Sequence, residues 1–344
     1  MYDELGRKYE HGDGVVHSDV EAARWYQRAA ELGNAHAQHC LGILYEFGRG
    51  VELSIEEAAN WYRRAADQGD AWSQLRLARL YRKGGGIEAD PIEARRLFRL
   101  AADQGLADAQ FELGTLYDQG LGVERDVKEA MRWFRLAAEN RHAQAEYYLA
   151  LGYMRGMGVA QSDISAVYWF KLAATQGHAP AQVELGRSYA QGQGVLQSDK
   201  EAVRWFMLAA DQGVASGQYN LGFLFATGRG IPRSDAEALR WYRLSAAQGF
   251  NPARNNLGQF FEEGRAVEQS YAEALRLYQL AADGGFPASQ CNLAQMYERG
   301  RGVAASNAEA IIWYTRAAKG GNRLAQEALR RLEEETPSTE RKDL

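Results

Sequence analysis

Residues 34–69 read NAHAQHCLGILYEFGRGVELSIEEAANWYRRAADQG, and this 36-residue pattern recurs about nine and a half times along the 344-residue chain. Alignment of the chain on itself at that spacing needs no insertion or deletion from Met1 to the last turn of the final helix. Within the quoted stretch Ala58, Trp61 and Ala65 fall at i, i+3 and i+7, the stripe of an amphipathic helix. Working outward, seven of the eight tryptophans share the Trp61 column: Trp25, Trp61, Trp133, Trp169, Trp205, Trp241 and Trp313, with Leu97 and Leu277 in the gaps. The next residue is Tyr or Phe in all nine units, from Tyr26 to Tyr314, and the residue three earlier is alanine in all nine, from Ala22 to Ala310.

The ends of this second helix are also written in the residues. Ser or Asp is followed three positions later by Glu in eight of nine units, as in Ser18 with Glu21, Ser54 with Glu57 and Asp90 with Glu93; Ser162 with Ser165 is the exception. Such a pair predicts a capping box, in which the small side chain accepts from an orphan N–H and the glutamate reaches back to the cap. Gly33, Gly69, Gly105, Gly177, Gly213, Gly249, Gly285 and Gly321 supply the left-handed residue that ends a helix. Arg141 breaks that column, so either Asn140 takes the left-handed turn or the joint there differs.

The first helix of each unit carries Leu-Gly or Leu-Ala and then an aromatic, as in Leu41, Gly42 and Tyr45. A mid-helix glycine costs about 1 kcal/mol against alanine, so its recurrence predicts a place where two helix backbones approach closely. Arg330 and Glu333 stand at the Gly and Tyr positions of a last helix with no second helix after it, which predicts a polar end cap. Gly48, Gly50 and Val51 form the turn between the two helices. The fold predicted is all-α: a right-handed α/α superhelical solenoid of about nine helix-turn-helix repeats plus a C-terminal capping helix. Residues 1–335 form a single solenoid domain in this reading, and residues 336–344, TPSTERKDL, a disordered polar tail.

Composition narrows the function classes. Hydrophobic residues make up 46% and charged residues 25%, and no stretch approaches eighteen consecutive apolar residues, so no membrane insertion is expected. Forty basic against 45 acidic residues, net −5, give no electrostatic reason to bind nucleic acid. Cys40 and Cys291, two cysteines 251 residues apart, read as free thiols. The chain opens on repeat sequence with no basic segment leading into an apolar core, so as it stands the expected compartment is the cytoplasm; a signal peptide removed upstream of Met1 would make it periplasmic or secreted. Oligomeric state is not legible.

The run Ala37-Gln38, Leu41-Gly42, Tyr45, Gly48, Gly50-Val51, Ala58, Trp61-Tyr62, Ala65-Ala66, Gly69 resembles the Sel-one-like repeat family, long-unit relatives of tetratricopeptide repeats, over essentially residues 1–335. The resemblance implies a curved α/α superhelix used as a scaffold or adaptor in bacterial signalling, envelope processes and secretion, or in eukaryotic protein quality control. A cysteine-rich bacterial branch with penicillin-binding and weak β-lactamase members carries paired cysteines in each repeat, which this chain lacks.

Few residues escape the repeat logic. The chain has six histidines and no His-Glu-x-x-His, phosphate-binding loop or Cys-x-x-Cys pair; its Gly-x-Gly turns recur at helix joints with no strand before them. His36, His39 and Cys40 fall at i, i+3 and i+4, with His11 a conceivable fourth ligand, but three donors without a defined fourth make a weak metal site, and no metal or other cofactor is assigned. Arg63, Arg99 and Arg135 each have an acid four residues on, Asp67, Asp103 and Glu139, and read as solvated ion pairs of an outer face.

The candidate site is the variable stripe of the first helix, in columns 36, 39, 40, 43 and 47, opposite Leu41 and Tyr45. In mid-chain it becomes aromatic and amide-rich: Trp72, Leu75, Phe111, Tyr147, Tyr148, Tyr219 and Phe223, then Asn220, Asn256 and Asn292 in one column, punctuated by Arg76, Arg79, Arg155 and Arg187. If first helices line the concave side about 10 Å apart, an asparagine column meets the backbone of an extended peptide at every third residue, given its rise of about 3.3 Å per residue. Two readings stand open for Phe111, Tyr147 and Tyr219, recognition or packing between units; Trp72 and the asparagines read as recognition. The expected function is therefore a non-enzymatic scaffold or adaptor binding a partner protein or extended peptide in its concave groove. The alternatives are a cell-wall-active hydrolase or penicillin-binding protein, like the cysteine-rich branch, and an envelope-located regulator.

Overall fold

The computed structural model describes residues 1–335, which form nineteen α-helices and no strand. The first helices are α1 (Tyr2–His11), α3 (Ala35–Phe47), α5 (Ala71–Lys83), α7 (Ala107–Gln119), α9 (Ala143–Arg155), α11 (Ala179–Gln191), α13 (Ala215–Thr227), α15 (Asn251–Glu263) and α17 (Pro287–Arg299). The second helices are α2 (Asp19–Glu31), α4 (Ile55–Asp67), α6 (Pro91–Asp103), α8 (Val127–Glu139), α10 (Asp163–Thr175), α12 (Asp199–Asp211), α14 (Asp235–Ala247), α16 (Tyr271–Asp283) and α18 (Asn307–Lys319), and α19 (Arg323–Glu335) closes the series. The chain divides into two compact units, Met1–His178 and the remainder from Ala179. Within each unit a helix packs on the one before it and the one after it, the connectivity of an α/α solenoid. No helix among the described residues is long and apolar enough to cross a membrane. The tail read as disordered, residues 336–344, and the side chain of Glu333 lie outside the described residues.

Half of the predicted capping box forms. Ser54 Oγ accepts from the Glu57 N–H at 3.2 Å, but the Ser54 N–H donates to the Tyr45 carbonyl at 3.0 Å, and the caps from Ser18 to Ser306 repeat this bond to the preceding helix. With the cap N–H already satisfied, the glutamate turns to the arginine three residues on: Glu21 to Arg24, Glu93 to Arg96, Glu273 to Arg276 at 2.6–3.1 Å. At the other end the eight column glycines adopt φ of 77–91°. Arg141 itself takes the left-handed turn at φ 62°, while Asn140 stays at φ −87°, so the expected transfer to Asn140 does not occur. An arginine therefore bears a conformation that costs a non-glycine residue roughly 1 kcal/mol.

The core runs along the aromatic that follows the tryptophan column. Tyr26, Tyr62, Phe98, Phe134 and Phe170 in the first unit and Phe206, Tyr242, Tyr278 and Tyr314 in the second are buried, each contributing about 1.5–3 kcal/mol of apolar burial. These rings explain the mid-helix glycines. A Cβ on Gly42 would lie 2.5 Å from Tyr62 Cε1, and Gly6, Gly114, Gly186 and Gly258 face Tyr26, Phe134, Phe206 and Tyr278 in the same way. The close approach is backbone to ring, not backbone to backbone as expected. Arg330, in that column on α19, is exposed and has no ring after it.

A buried hydroxyl needs a partner, and the repeats solve this pairwise. Tyr26, Tyr62, Tyr278 and Tyr314 donate to Glu10, Glu46, Glu262 and Glu298, each 16 residues earlier, at 2.6–2.9 Å. Where that position holds Arg82, Asp118, Met154 or Ala190, the ring is Phe98, Phe134, Phe170 or Phe206. Tyr242, opposite Ala226, instead accepts from Asn256 Nδ2 at 3.1 Å. A second ladder links hairpins: buried Gln38, Gln74, Gln110, Gln218 and Gln290 donate to the carbonyl eight residues back at 3.0–3.4 Å. Gln68, Gln104 and Gln248 donate to Gln38, Gln74 and Gln218, thirty residues earlier, at 2.7–2.9 Å.

Candidate partner-binding surface

Positions 36, 40, 43 and 47 of the unit share one face of the first helix by their spacing, and on that face three large rings stand open. Trp72 on α5 is 49% exposed, Tyr148 on α9 36% and Phe223 on α13 37%. Phe47 on α3 is exposed too, with the Arg76 guanidinium 5.7 Å from its ring. Tyr148 is held by stacking on Phe134, centroids 5.4 Å apart, so its orientation is fixed before any partner arrives.

Other members of the predicted stripe are engaged within the protein. Leu75 is fully buried in the core. Phe111, Tyr147 and Tyr219 are half-buried between neighbouring hairpins, with ring centroids 4.7 Å from His142, 4.8 Å from His178 and 5.4 Å from Phe250. Column 39 is thus an inter-hairpin packing position, because its side chain leans onto the cap residue of the next first helix. The asparagine column is not a free ladder: Asn256 donates to Tyr242 Oη, Asn292 donates to Asn255 Oδ1 at 2.9 Å, and Asn220 is half-buried. Arg76 pairs with Glu46 at 3.4 Å, Arg79 with Glu112 at 2.8 Å and Arg187 with Glu184 at 3.1 Å, while Arg155 is exposed.

Of the His-Cys cluster, His36 and Cys40 meet each other while His39 turns to Ser73. His36 Nδ1 lies 2.8 Å from Asp3, His39 Nδ1 2.9 Å from Ser73 Oγ, and Cys40 Sγ 3.7 Å from His36 Nε2. Burial pushes the Cys40 thiol up to about 12, which leaves it protonated and unreactive near neutral pH, and burial also lowers the pKa of His39. Among the described residues no three His, Cys, Asp or Glu side chains are grouped to hold a metal ion. Cys40 and Cys291 are both free thiols.

On the second helices, Arg99 forms the expected pair with Asp103 at 2.9 Å. Arg63 and Arg135 instead donate to Tyr81 and Tyr153 hydroxyls, at 2.8 and 2.6 Å. An exposed i, i+4 pair is worth a few tenths of a kcal/mol, so one better-ordered acceptor diverts it. Sequence reasoning also missed a row of half-exposed leucines on these helices, Leu100, Leu208, Leu244 and Leu280. Its signal was present, since Arg28, Arg64 and Arg316 hold the same column in the end units, where each lies over the tryptophan three residues earlier.

A family model, the Sel1 repeat, matches the chain nine times, over residues 3–34, 35–70, 73–106, 107–142, 143–178, 179–214, 215–250, 251–286 and 287–322. Among solved structures, a protective antigen of uropathogenic Escherichia coli strains displaying an SLR fold is 29% identical, with 98% of this chain covering 80% of that one at a TM-score of 0.71. A Sel1 repeat protein from Oxalobacter formigenes is 32% identical, with 90% of this chain covering 89% of that one at a TM-score of 0.66. No curated protein matches the chain. With its repeats matched almost end to end, the chain belongs to the Sel1 repeat family, a solenoid fold commonly used as a protein-interaction scaffold and typically non-catalytic.

Proposed function

We propose that this protein is a non-enzymatic adaptor that binds a partner protein, or an extended segment of one, on its first-helix face. Trp72 and Tyr148 are the anchors in the first unit and Phe223 in the second. One observation carries the reading: Trp72 and Tyr148 in the first unit and Phe223 in the second stand open, as Phe47 does, each on this face of its own first helix and in columns that vary from repeat to repeat. Exposed aromatics of this kind dominate binding energy where they enter a partner's pocket. Neighbouring helices roughly 10 Å apart match about three residues of extended chain, so successive first helices present side-chain sites in step with a bound strand.

The test is alanine at Trp72 and Tyr148 together, against alanine at Arg132 and Arg204, which are exposed on second helices. Both double variants keep wild-type helicity. The first weakens partner binding by about thirtyfold or more, on the scale of a hot-spot truncation of about 2 kcal/mol, and the second leaves it unchanged. Equal affinity of the two variants for the partner would refute the assignment.

A further inference from the structure

The repeats act as internal controls for one another, and at one joint several of them are broken together. Six of the seven indoles in the tryptophan column carry a guanidinium over the ring. Arg204 and Arg240 reach Trp205 and Trp241 from the residue before, with centroid distances of 5.5 and 4.9 Å. Arg28, Arg64 and Arg316 reach Trp25, Trp61 and Trp313 from three residues after, at 4.4–4.8 Å. Arg99 reaches Trp133 from 34 residues earlier, at 4.8 Å. At Trp169 all three routes are closed: the residue before is Tyr168, the residue three after is Leu172, and Arg135, 34 residues earlier, donates to Tyr153. Among the described residues no arginine covers Trp169, which is only half-buried.

The surroundings changed with it. Tyr168, 57% exposed, stands where six units place arginine, and Ser165 replaces the glutamate that this arginine would pair with. Glu146, 2% exposed, replaces the ladder glutamine and accepts from Gln176 at 2.7 Å. Arg141 replaces the left-handed glycine. Tyr168, Trp169, Glu146, Gln176 and Arg141, with Ala138, Glu139, Leu172 and Thr175, line a cavity of about 290 Å³ within the first unit. Its acceptors are two carboxyl groups, the Thr175 hydroxyl, whose proton goes to the Leu172 carbonyl at 2.8 Å, and the Gln176 amide oxygen, beside the Tyr168 hydroxyl and the Trp169 N–H. Arg141 is the one cation of the lining, and it is exposed.

We infer that this cavity between α8, α9 and α10 takes a guanidinium from outside the chain, the arginine side chain of a protein partner, laid on Trp169 and Tyr168 with Glu139 and Glu146 in the same lining. The partner's arginine would restore the contact that the protein's own arginines make in six other repeats. A planar cation with five donors fits an aromatic wall and a surplus of acceptors. The site shares no residue with the first-helix anchors, and Glu146 reaches it from α9, the helix that carries Tyr148.

The probe is Nα-acetyl-arginine methylamide, with the citrulline analogue as an uncharged isostere, titrated into the full chain while the Trp169 indole N–H is followed by NMR. Saturable movement is expected with the arginine probe and none with citrulline. Tyr168→Arg and Glu146→Gln install the residues that other repeats carry, so both fold, and each weakens the probe at least about tenfold, the loss of one desolvated cationic contact. Arg141→Gly removes the competing cation and keeps or strengthens binding. An unmoved Trp169 signal, an equal response to citrulline, or binding that survives Tyr168→Arg would overturn the assignment; loss of binding in Arg141→Gly would do so as well, since Arg141 would then be part of the contact and not a competing cation.

Discussion

Removing the Glu46 carboxylate should harm the fold more than removing both it and the hydroxyl it accepts from. Tyr62 is fully buried and donates to Glu46 at 2.6 Å, while Glu46 also pairs with Arg76 at 3.4 Å. In Glu46→Ala the hydroxyl is left in the core without its acceptor, a cost of about 1–3 kcal/mol, and the Arg76 pair adds a few tenths. In Tyr62→Phe the carboxylate keeps Arg76 and some solvent, so the loss is about 1–1.5 kcal/mol, near the lower end for a hydrogen bond to a charged group. The double variant reproduces the Phe206 and Ala190 pair that the chain already uses, and it should cost about 1.5 kcal/mol against a sum of roughly 3.5 for the singles. The assay is urea unfolding followed by far-ultraviolet circular dichroism, with amide exchange of α3 and α4 to localise the effect, because repeat arrays open in neighbouring blocks. A coupling energy below about 0.5 kcal/mol would refute the claim that these columns are matched by contact.

Three further outcomes follow from the same geometry. Burial raises the pKa of Glu146, so the folded state holds that proton more tightly than the unfolded chain, and stability is fullest below the ordinary carboxylate range and declines as pH rises through the raised value. Glu146→Gln removes that titration and supplies an N–H to the Ala138 carbonyl; its melting advantage should widen as pH rises above the ordinary carboxylate range, and a constant gap would contradict this. Gly42→Ala should destabilise by about 1–2 kcal/mol in spite of better helix propensity, since its Cβ meets Tyr62 at 2.5 Å, whereas Gly222→Ala, with Tyr242 at 3.0 Å, should be close to neutral by denaturant titration. Arg141→Gly should raise the melting temperature by relieving a left-handed arginine, and an unchanged or lower value would show that the φ of 62° carries no strain.

The fold was legible because each of its rules is repeated nine times: Trp61, Tyr62, Ala58, the Ser54 cap and the Gly69 stop recur in unbroken or nearly unbroken columns. The site was only partly legible, for a physical reason. In a stack of hairpins a variable position is either exposed to partners or turned toward the next hairpin, where it must match its neighbour. Phe111, Tyr147, Tyr219, Asn256 and Asn292 vary for the second reason, Trp72 and Phe223 for the first, and periodicity along one helix does not separate the two cases. Comparison between columns does. Tyr occurs at the ring position with Glu 16 residues earlier in four of its five cases, Tyr242 being the exception, and Arg49, Arg229 and Arg265 occur with Asp19, Asp199 and Asp235 thirty residues earlier, paired at 2.6–2.7 Å. The acceptor Glu46 and the half-exposed leucine row could have been found that way. The capping box was over-read because the pattern shows which groups are near the cap, not that the Ser54 N–H is already bonded to Tyr45.

The adaptor reading meets its most direct test in a photo-crosslinking amino acid placed at Trp72 and, separately, at Arg132, with the protein produced in its own cells and irradiated. A discrete protein adduct at position 72 and none at 132 is the predicted result. Adducts of equal yield at both positions, or at 132 alone, would contradict it.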